Sequence, residues 1–290
     1  MAFRVVVIDS HAKLEYSLNY LIYRTADTVK RILMDEIQTL VIQSTQVAIT
    51  TSLLSELSKR KIKTIFCDEK RNPQSELVSY YGAHNPFRRI SIQIAWSMEI
   101  KNLVWQAIVR EKITQQAAFL HEQGKDDKAM QLIDFSKDVQ PGDPTNREGH
   151  AAKVYFNSVF FDGFSRDMEH PVNAALNYGY TIFLSQFNRA IVSAGYLTAI
   201  GLHHIGETNP FNFSCDLIEP FRPFVDRVAK TLGPEDDFKS KMIALLAQEC
   251  IIDEKRQTIA NAINIYCLSV FSALSEEKVG LIKFPRYAGS

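Results

Sequence analysis

Three polar segments of this 290-residue chain carry residue types that can hold a divalent cation against a phosphate ester. The loop Gln140-Pro141-Gly142-Asp143-Pro144-Thr145-Asn146-Arg147-Glu148-Gly149-His150 runs into a helical pattern and places Glu148 in a first helical turn. Gly201-Leu202-His203-His204-Ile205-Gly206 sets two adjacent histidines between glycines, and adjacent side chains cannot face the same way in regular structure. Asp216-Leu217-Ile218-Glu219-Pro220-Phe221-Arg222-Pro223 puts two carboxylates three positions apart, on one face if a helix starts there, with Arg222 close behind. Carboxylates together with one neutral imidazole suit a hard cation such as Mg²⁺ or Mn²⁺. Such a cation neutralises the charge that grows as one oxygen displaces another at phosphorus, which is phosphodiester chemistry.

Each segment also has a purely structural reading. Thr145-x-x-Glu148 fits a capping box, in which the carboxylate satisfies a backbone amide at the helix start. Asp216 can act as an N-cap with Glu219 at the third position, and Pro220 is tolerated in a first turn because it forfeits no helical hydrogen bond. A histidine in a polar loop is more often solvated than a ligand. The case for a metal site therefore rests on the combination.

Composition narrows the remaining classes. Lys plus Arg and Asp plus Glu both total 33, so no overall field draws the chain to nucleic acid or an anionic membrane, and DNA contacts must come from local clusters. Lys59-Arg60-Lys61 with Lys63, Lys70-Arg71, and Arg88-Arg89 are such clusters; each is equally a solvated helix end or loop unless the sets converge. Tyr178 and Tyr180 lie in an apolar helical stretch and read as core. Cys67, Cys215, Cys250 and Cys267 form no Cys-x-x-Cys pair, which argues against a disulfide framework or thiolate zinc and fits a reducing cytoplasm. The run Val5 to Ile8 is too short for a signal segment, and no stretch approaches the roughly 20 apolar residues of a membrane span.

The elements that must position these residues change character along the chain. Val5–Ile8, Asn19–Tyr23, Val29–Met34, Leu40–Gln43, Val47–Ile49 and Lys63–Phe66 are short β-branched or aromatic runs, with one short helix near Ser52–Leu57. From Ile92 the period turns helical: Trp96, Ile100, Val104, Ile108 and Ile113 recur four or five apart, and further helical stretches follow near 151–160, 172–194, 221–232, 238–247 and 258–274. The fold class expected is α+β, a small β-rich domain over 1–90 followed by a larger all-helical domain over 91–290.

The wording of three ordered motifs adds a resemblance. Asn146-Arg147-Glu148-Gly149-His150-Ala151-Ala152 is the first. Ser165-Arg166-Asp167-x-Glu169-His170-Pro171-x-Asn173-Ala174-x-Leu176-Asn177-Tyr178-Gly179-Tyr180 is the second, and Gly201-Leu202-His203-His204 with Asp216-Leu217-x-Glu219-Pro220-Phe221-Arg222-Pro223 is the third. Over nearly the whole chain the sequence resembles the CRISPR-associated spacer-acquisition integrases, the first-numbered Cas proteins, in the branch that accompanies single-protein RNA-guided effectors. The resemblance implies a β-rich N-terminal domain for dimerisation and for partner or DNA contacts, and a helical catalytic domain. It implies a Mg²⁺ or Mn²⁺ held by Glu148, His204 and Glu219, with Asp216 as a neighbouring acid of open role. It further implies a homodimer, assembly with the small second-numbered Cas protein in a heterohexamer, and double-stranded DNA substrates, the protospacer and the repeat, joined by 3′-hydroxyl attack. The third acidic ligand is often aspartate in that family, where this chain has Glu219. A stand-alone metal nuclease and a non-catalytic DNA-binding scaffold are the competing classes. Possible DNA contacts are Lys59, Arg60, Lys61, Arg71, Arg88, Arg89 and Arg222.

Overall fold

Alternation makes the first strands: in the segment Ala12–Ser17, Ala12 and Leu14 are buried while Lys13 and Ser17 face out. The computed structural model describes residues 4–79 and 85–288, and its chain falls into two units, Met1–His84 and Asn85–Ser290. The first unit holds β1 (Arg4–Ile8), β2 (Ala12–Ser17), β3 (Tyr20–Arg24), β4 (Val29–Leu33), β5 (Ile37–Ile42), β6 (Val47–Ile49), α1 (Thr51–Lys59), β7 (Lys63–Cys67) and β8 (Pro73–Glu76). These form two four-stranded sheets, ordered β1-β5-β7-β8 and β4-β3-β2-β6. Every residue of β5 is buried, as expected for a central strand flanked by parallel neighbours. Ile8, Leu14, Leu21, Leu40, Leu53 and Leu57 join both sheets and α1 in one core.

The β2–β3 hairpin turns through Leu18 and Asn19 with φ of 47° and 68°, the two-residue geometry that matches strand twist. That turn has no glycine, so the sequence gives no sign of β2. Thr50 caps α1 by accepting from the Leu53 amide, and the helix carries the chain between parallel β5 and β7.

The second unit contains α2 (Pro86–Ala95), α3 (Met98–Glu122), α4 (Asp126–Asp138), α5 (Arg147–Val159), α6 (Pro171–Ser193), α7 (Asn212–Leu217), α8 (Arg222–Lys230), α9 (Phe238–Ala244), β9 (Glu249–Ile252), β10 (Lys255–Thr258), α10 (Ile259–Glu276) and β11 (Arg286–Tyr287). A cut between residues 90 and 91 falls inside α2. The mixed α+β class with a strand-rich N-terminal part is as expected, but the second unit is not all-helical: β10, β9 and β11 form a three-stranded antiparallel sheet. Its hairpin turns at Asp253 and Glu254, φ 52° and 60°, again without glycine. The run Cys250-Ile251-Ile252, with two β-branched residues, pairs across that turn.

Helix α3 is the centre of this unit. Ser97 caps it, and Val104, Trp105, Ile108, Val109, Ile113, Gln116 and Leu120 are buried against α4, α5, α8 and α10. Helix α4, absent from the sequence reading, returns after Gly124, whose φ of 70° ends α3. Among the described residues only α10 is long and apolar enough to cross a membrane by length and composition, and it is mostly buried in the unit. Tyr178 and Tyr180 are buried in α6. Cys67, Cys250 and Cys267 are buried and Cys215 is half-buried.

Candidate metal and phosphodiester site

Glu148 stands in the first turn of α5, but the capping box does not form. Asn146, at φ 50°, is the N-cap and accepts from the Gly149 amide. Asp143 accepts from the Arg147 and Glu148 amides at 2.9 and 3.0 Å. With the orphan amides satisfied by two other side chains, the Glu148 carboxylate is released inward. Its Oε1 accepts from Lys112 Nζ at 2.6 Å, and its side chain keeps 24% exposure.

Glu219 opens a one-turn 3₁₀ segment, Glu219–Phe221, between α7 and α8, and its side chain is only 3% exposed. Oε2 accepts from Lys112 Nζ and Oε1 accepts from Arg222 Nε at 2.8 Å. Burial alone would raise its carboxyl, but the charges of Arg222 and Lys112 outweigh it and hold the group down at about 2. The same balance operates on Lys112: burial works against its charge, and Glu148 and Glu219 more than restore it, so its pKa is raised. Arg222 lies over the Tyr180 ring with 4.5 Å to the centroid, which fixes the guanidinium from its other side.

Asp216 is fully buried in α7 and does not cap its own helix. It clamps the histidine loop instead, accepting from the amides of Leu202 (2.5 Å), His203 (3.2 Å) and His204 (3.0 Å), with His204 Nδ1 2.6 Å from Oδ1. A Cβ added at Gly201 would sit 2.5 Å from the His204 carbonyl oxygen and 2.7 Å from Asp216 Oδ2, so only glycine permits this wrap. Buried Gln93 of α2 ties the preceding loop through the Leu197 and Ile200 carbonyls, and Asn212 ties it through those of Ala199 and Gly206. The two histidines part as their adjacency requires. His203 stacks on Trp105, centroids 4.4 Å apart and planes 5° apart, whereas His204 meets Trp105 edge-on and stands perpendicular to His203. The hydrogen bond to Asp216 raises the His204 pKa, burial opposes this, and the charges of Asp216, Glu219 and Glu148 add to the rise.

The arrangement thus brings Glu148, Glu219 and His204 from three separate segments into one electrostatic neighbourhood. Two carboxylates and an imidazole whose Nδ1 is held by a carboxylate are a donor set that fits a hard divalent cation, with Asp216 orienting the ring. Among the described residues no three acids, histidines or cysteines stand close enough to hold an ion as they are placed, because Lys112 Nζ lies between Glu148 and Glu219.

Lys112 escaped the sequence reading. Its signal is a lone cation on the buried face of α3 with Ile108, Val109 and Gln116, a position where lysine is rare unless paired.

The basic clusters of residues 59–71 belong to the first unit and Arg88-Arg89 to the second. Lys59 pairs with Glu56 at 2.8 Å, and Arg60 with Asp35 at 2.5 Å and Glu56 at 3.3 Å, all within the first unit. Lys63 is buried and paired with Glu76. Lys61 and Arg71 are exposed at left-handed turn positions. Arg88 and Arg89 are exposed on α2 of the second unit, where Arg89 donates to the Tyr196 hydroxyl at 3.4 Å.

Fold and site together define a two-unit α+β protein whose helical unit carries an acid-and-histidine cluster suited to phosphodiester chemistry. The family described as CRISPR associated protein Cas1 matches residues 5–264, and this chain belongs to it. The CRISPR-associated endonuclease Cas1 of Neisseria meningitidis serogroup C (strain 8013) is 32% identical over 251 residues, covering 87% of this chain and 83% of the relative. Among solved structures, a casposase bound to integration product superposes with a TM-score of 0.73 at 17% identity, covering 95% of this chain and 91% of that one. A Cas6-RT-Cas1–Cas2 complex gives a TM-score of 0.73 at 17% identity, where this chain spans 96% of itself but 36% of the longer neighbour. At that identity the structural likenesses establish the fold.

Proposed function

We propose that this chain is a CRISPR adaptation integrase, a metal-dependent transesterase and endonuclease that inserts short protospacer DNA into the repeat array. The observation that carries this reading is the convergence of Glu148, Glu219 and His204, with His204 oriented by buried Asp216 through Nδ1. Mg²⁺ or Mn²⁺ would be held by Glu148, His204 and Glu219, and when bound it supplies charge neutralisation at the scissile phosphate and its leaving oxygen.

The chain's own residues do the rest. Asp216 spends both oxygens on three amides and His204 Nδ1, which assigns it to positioning and leaves Nε2 as the ring nitrogen for a ligand. Glu219 is the acidic third ligand, its oxygens engaged by the side chains of Lys112 and Arg222 and not by a backbone clamp. Arg222, held between Glu219 and the Tyr180 ring, keeps positive charge beside the carboxylates where a phosphate would approach. The protospacer's 3′-hydroxyl attacks a repeat phosphodiester; water in its place gives cutting, so the endonuclease activity named for the relative follows from the same geometry.

The partners of this reading are double-stranded DNA, a second copy of this chain, and the small Cas2 protein in a heterohexamer; the fold shared with a casposase bound to integration product and with a Cas6-RT-Cas1–Cas2 complex supports DNA and Cas2. The β-rich unit is assigned to dimerisation and to partner or DNA contacts, with Lys59, Arg60, Lys61 and Arg71 as contact candidates there and Arg88 and Arg89 on α2.

The test is strand transfer of a labelled short duplex with free 3′-hydroxyls into a repeat-bearing plasmid, with Cas2, with and without chelator, for wild type and Glu148→Ala. Joining that needs metal and is lost in the variant is expected. Metal-dependent cutting by the chain alone, with no joining, replaces this reading with a stand-alone nuclease; joining unaffected by Glu148→Ala removes the site.

A further inference from the structure

The charged groups in direct contact with Lys112, together with Arg222, balance one another before any ion arrives. Lys112 and Arg222 contribute two positive charges, Glu148 and Glu219 two negative ones, and each of the two carboxylates is in direct contact with Lys112. The Lys112 side chain is 7% exposed and that of Glu219 is 3% exposed, so water screens this pair little. Its backbone is fixed midway along a 25-residue helix, with Ile108, Val109, Ile113 and Gln116 buried around it, which directs the ammonium to the gap between the two acids. One small head group thus takes the near oxygens of both.

We infer that Lys112 is an internal counter-ion that competes with the divalent cation for Glu148 and Glu219, so that the protein alone binds Mg²⁺ or Mn²⁺ weakly and DNA strengthens that binding. This rests on the assignment of Glu148, His204 and Glu219 as metal ligands. A divalent cation can take both carboxylates only by displacing the Lys112 ammonium, which then loses its partners in a place with little water. A phosphodiester brings negative charge, and its oxygens accept charge-assisted hydrogen bonds from an ammonium that has left a carboxylate. Metal binding and DNA binding are then linked, each raising the affinity for the other by the same factor. Lys112 acts as a positioning residue, keeping the two carboxylates charge-compensated until substrate is present.

The experiment measures Mn²⁺ binding directly, by electron paramagnetic resonance of free Mn²⁺, for wild type, Lys112→Met and Glu148→Ala, each with and without a short DNA duplex. Lys112→Met is expected to bind Mn²⁺ about tenfold or more tightly without DNA, since one poorly screened charge contact exceeds a decade in affinity. It should also show a smaller gain from DNA than wild type. If Glu148→Ala binds Mn²⁺ as wild type does, the metal-ligand assignment fails. If Glu148→Ala loses binding while Lys112→Met binds no more tightly than wild type, only the counter-ion role fails. Should Lys112→Met not fold, Lys112→Gln, which keeps a polar group between the two carboxylates without the charge, takes its place; Mn²⁺ affinity without DNA equal to that of wild type overturns the inference.

Discussion

The two units treat charge in opposite ways. In the β-rich unit most ion pairs sit at the rim: Lys59 is 68% exposed beside Glu56, Asp35 is 63% exposed beside Arg60, and Arg4 is 52% exposed beside Glu36. Pairs of this kind contribute about 0–1 kcal/mol each. In the helical unit Lys112, Asp216, Glu219 and Asp226 are all inside, where an ion that loses its partner costs about 3–5 kcal/mol. Lys63 with Glu76 is the buried exception in the first unit, and it joins the neighbouring strands β7 and β8. Burial of charge in a fold this size therefore distinguishes chemistry from surface only when several segments supply it to one point, as at Lys112.

Glu219→Ala is expected to break the contrast most severely. It takes the carboxylate from Arg222 and leaves Lys112 with Glu148 alone, so stability should fall by about 3–5 kcal/mol in urea unfolding, alongside loss of strand transfer. An equal loss from Glu56→Ala, which takes the carboxylate from Lys59 and leaves Arg60 with Asp35, would remove the distinction between the units.

Asp226 sharpens it by pH. Burial pushes its carboxyl up from 3.8 to about 6, against the hydrogen bonds from tyrosine, and its Oδ2 has no partner. The folded protein then binds more protons than the unfolded chain between about pH 4 and pH 6, so this group erodes stability as pH rises through that window. Asp226→Asn should gain about 3 kcal/mol at pH 7.5 and nothing near pH 4, from a shift of about two units. A gain that is the same at both pH values would show that charge at this position is not the cause.

Asp216→Asn tests orientation. It keeps the size of the loop clamp but weakens the hold on His204 Nδ1, and outer-shell changes of this kind cost about 10–100-fold in metal affinity or activity. The fold should survive by circular dichroism while strand transfer drops. The smallest effect belongs to the rim: Lys59→Ala should change stability by less than about 0.5 kcal/mol, whatever it does to DNA binding.

Much of the fold was legible because hydrophobic period survives in sequence: β5 and the buried stripe of α3 read correctly from apolar spacing. Strand β2 and the β9–β10 hairpin were missed for one reason. Their turns use Leu18-Asn19 and Asp253-Glu254 at positive φ, where the pattern that announces a hairpin would have asparagine or aspartate followed by glycine. Helix α4 was missed because its buried residues, Ala129, Leu132 and Ser136, are few among charges.

At the site, the sequence by itself set the candidate donors: the acids, the adjacent pair His203 and His204, their order along the chain, and that carboxylates with an imidazole suit a hard cation. It left open whether Glu148 caps α5 and which role falls to Asp216, since a side chain that caps and one that binds have the same local spacing. Tertiary structure decided both by supplying other partners, Asn146 and Asp143 for the α5 amides and the 202–204 loop for Asp216. It alone revealed Lys112, which lies 36 residues from Glu148 and 107 from Glu219 along the chain. Contacts over such separations are set by how helices pack, and no local pattern encodes them.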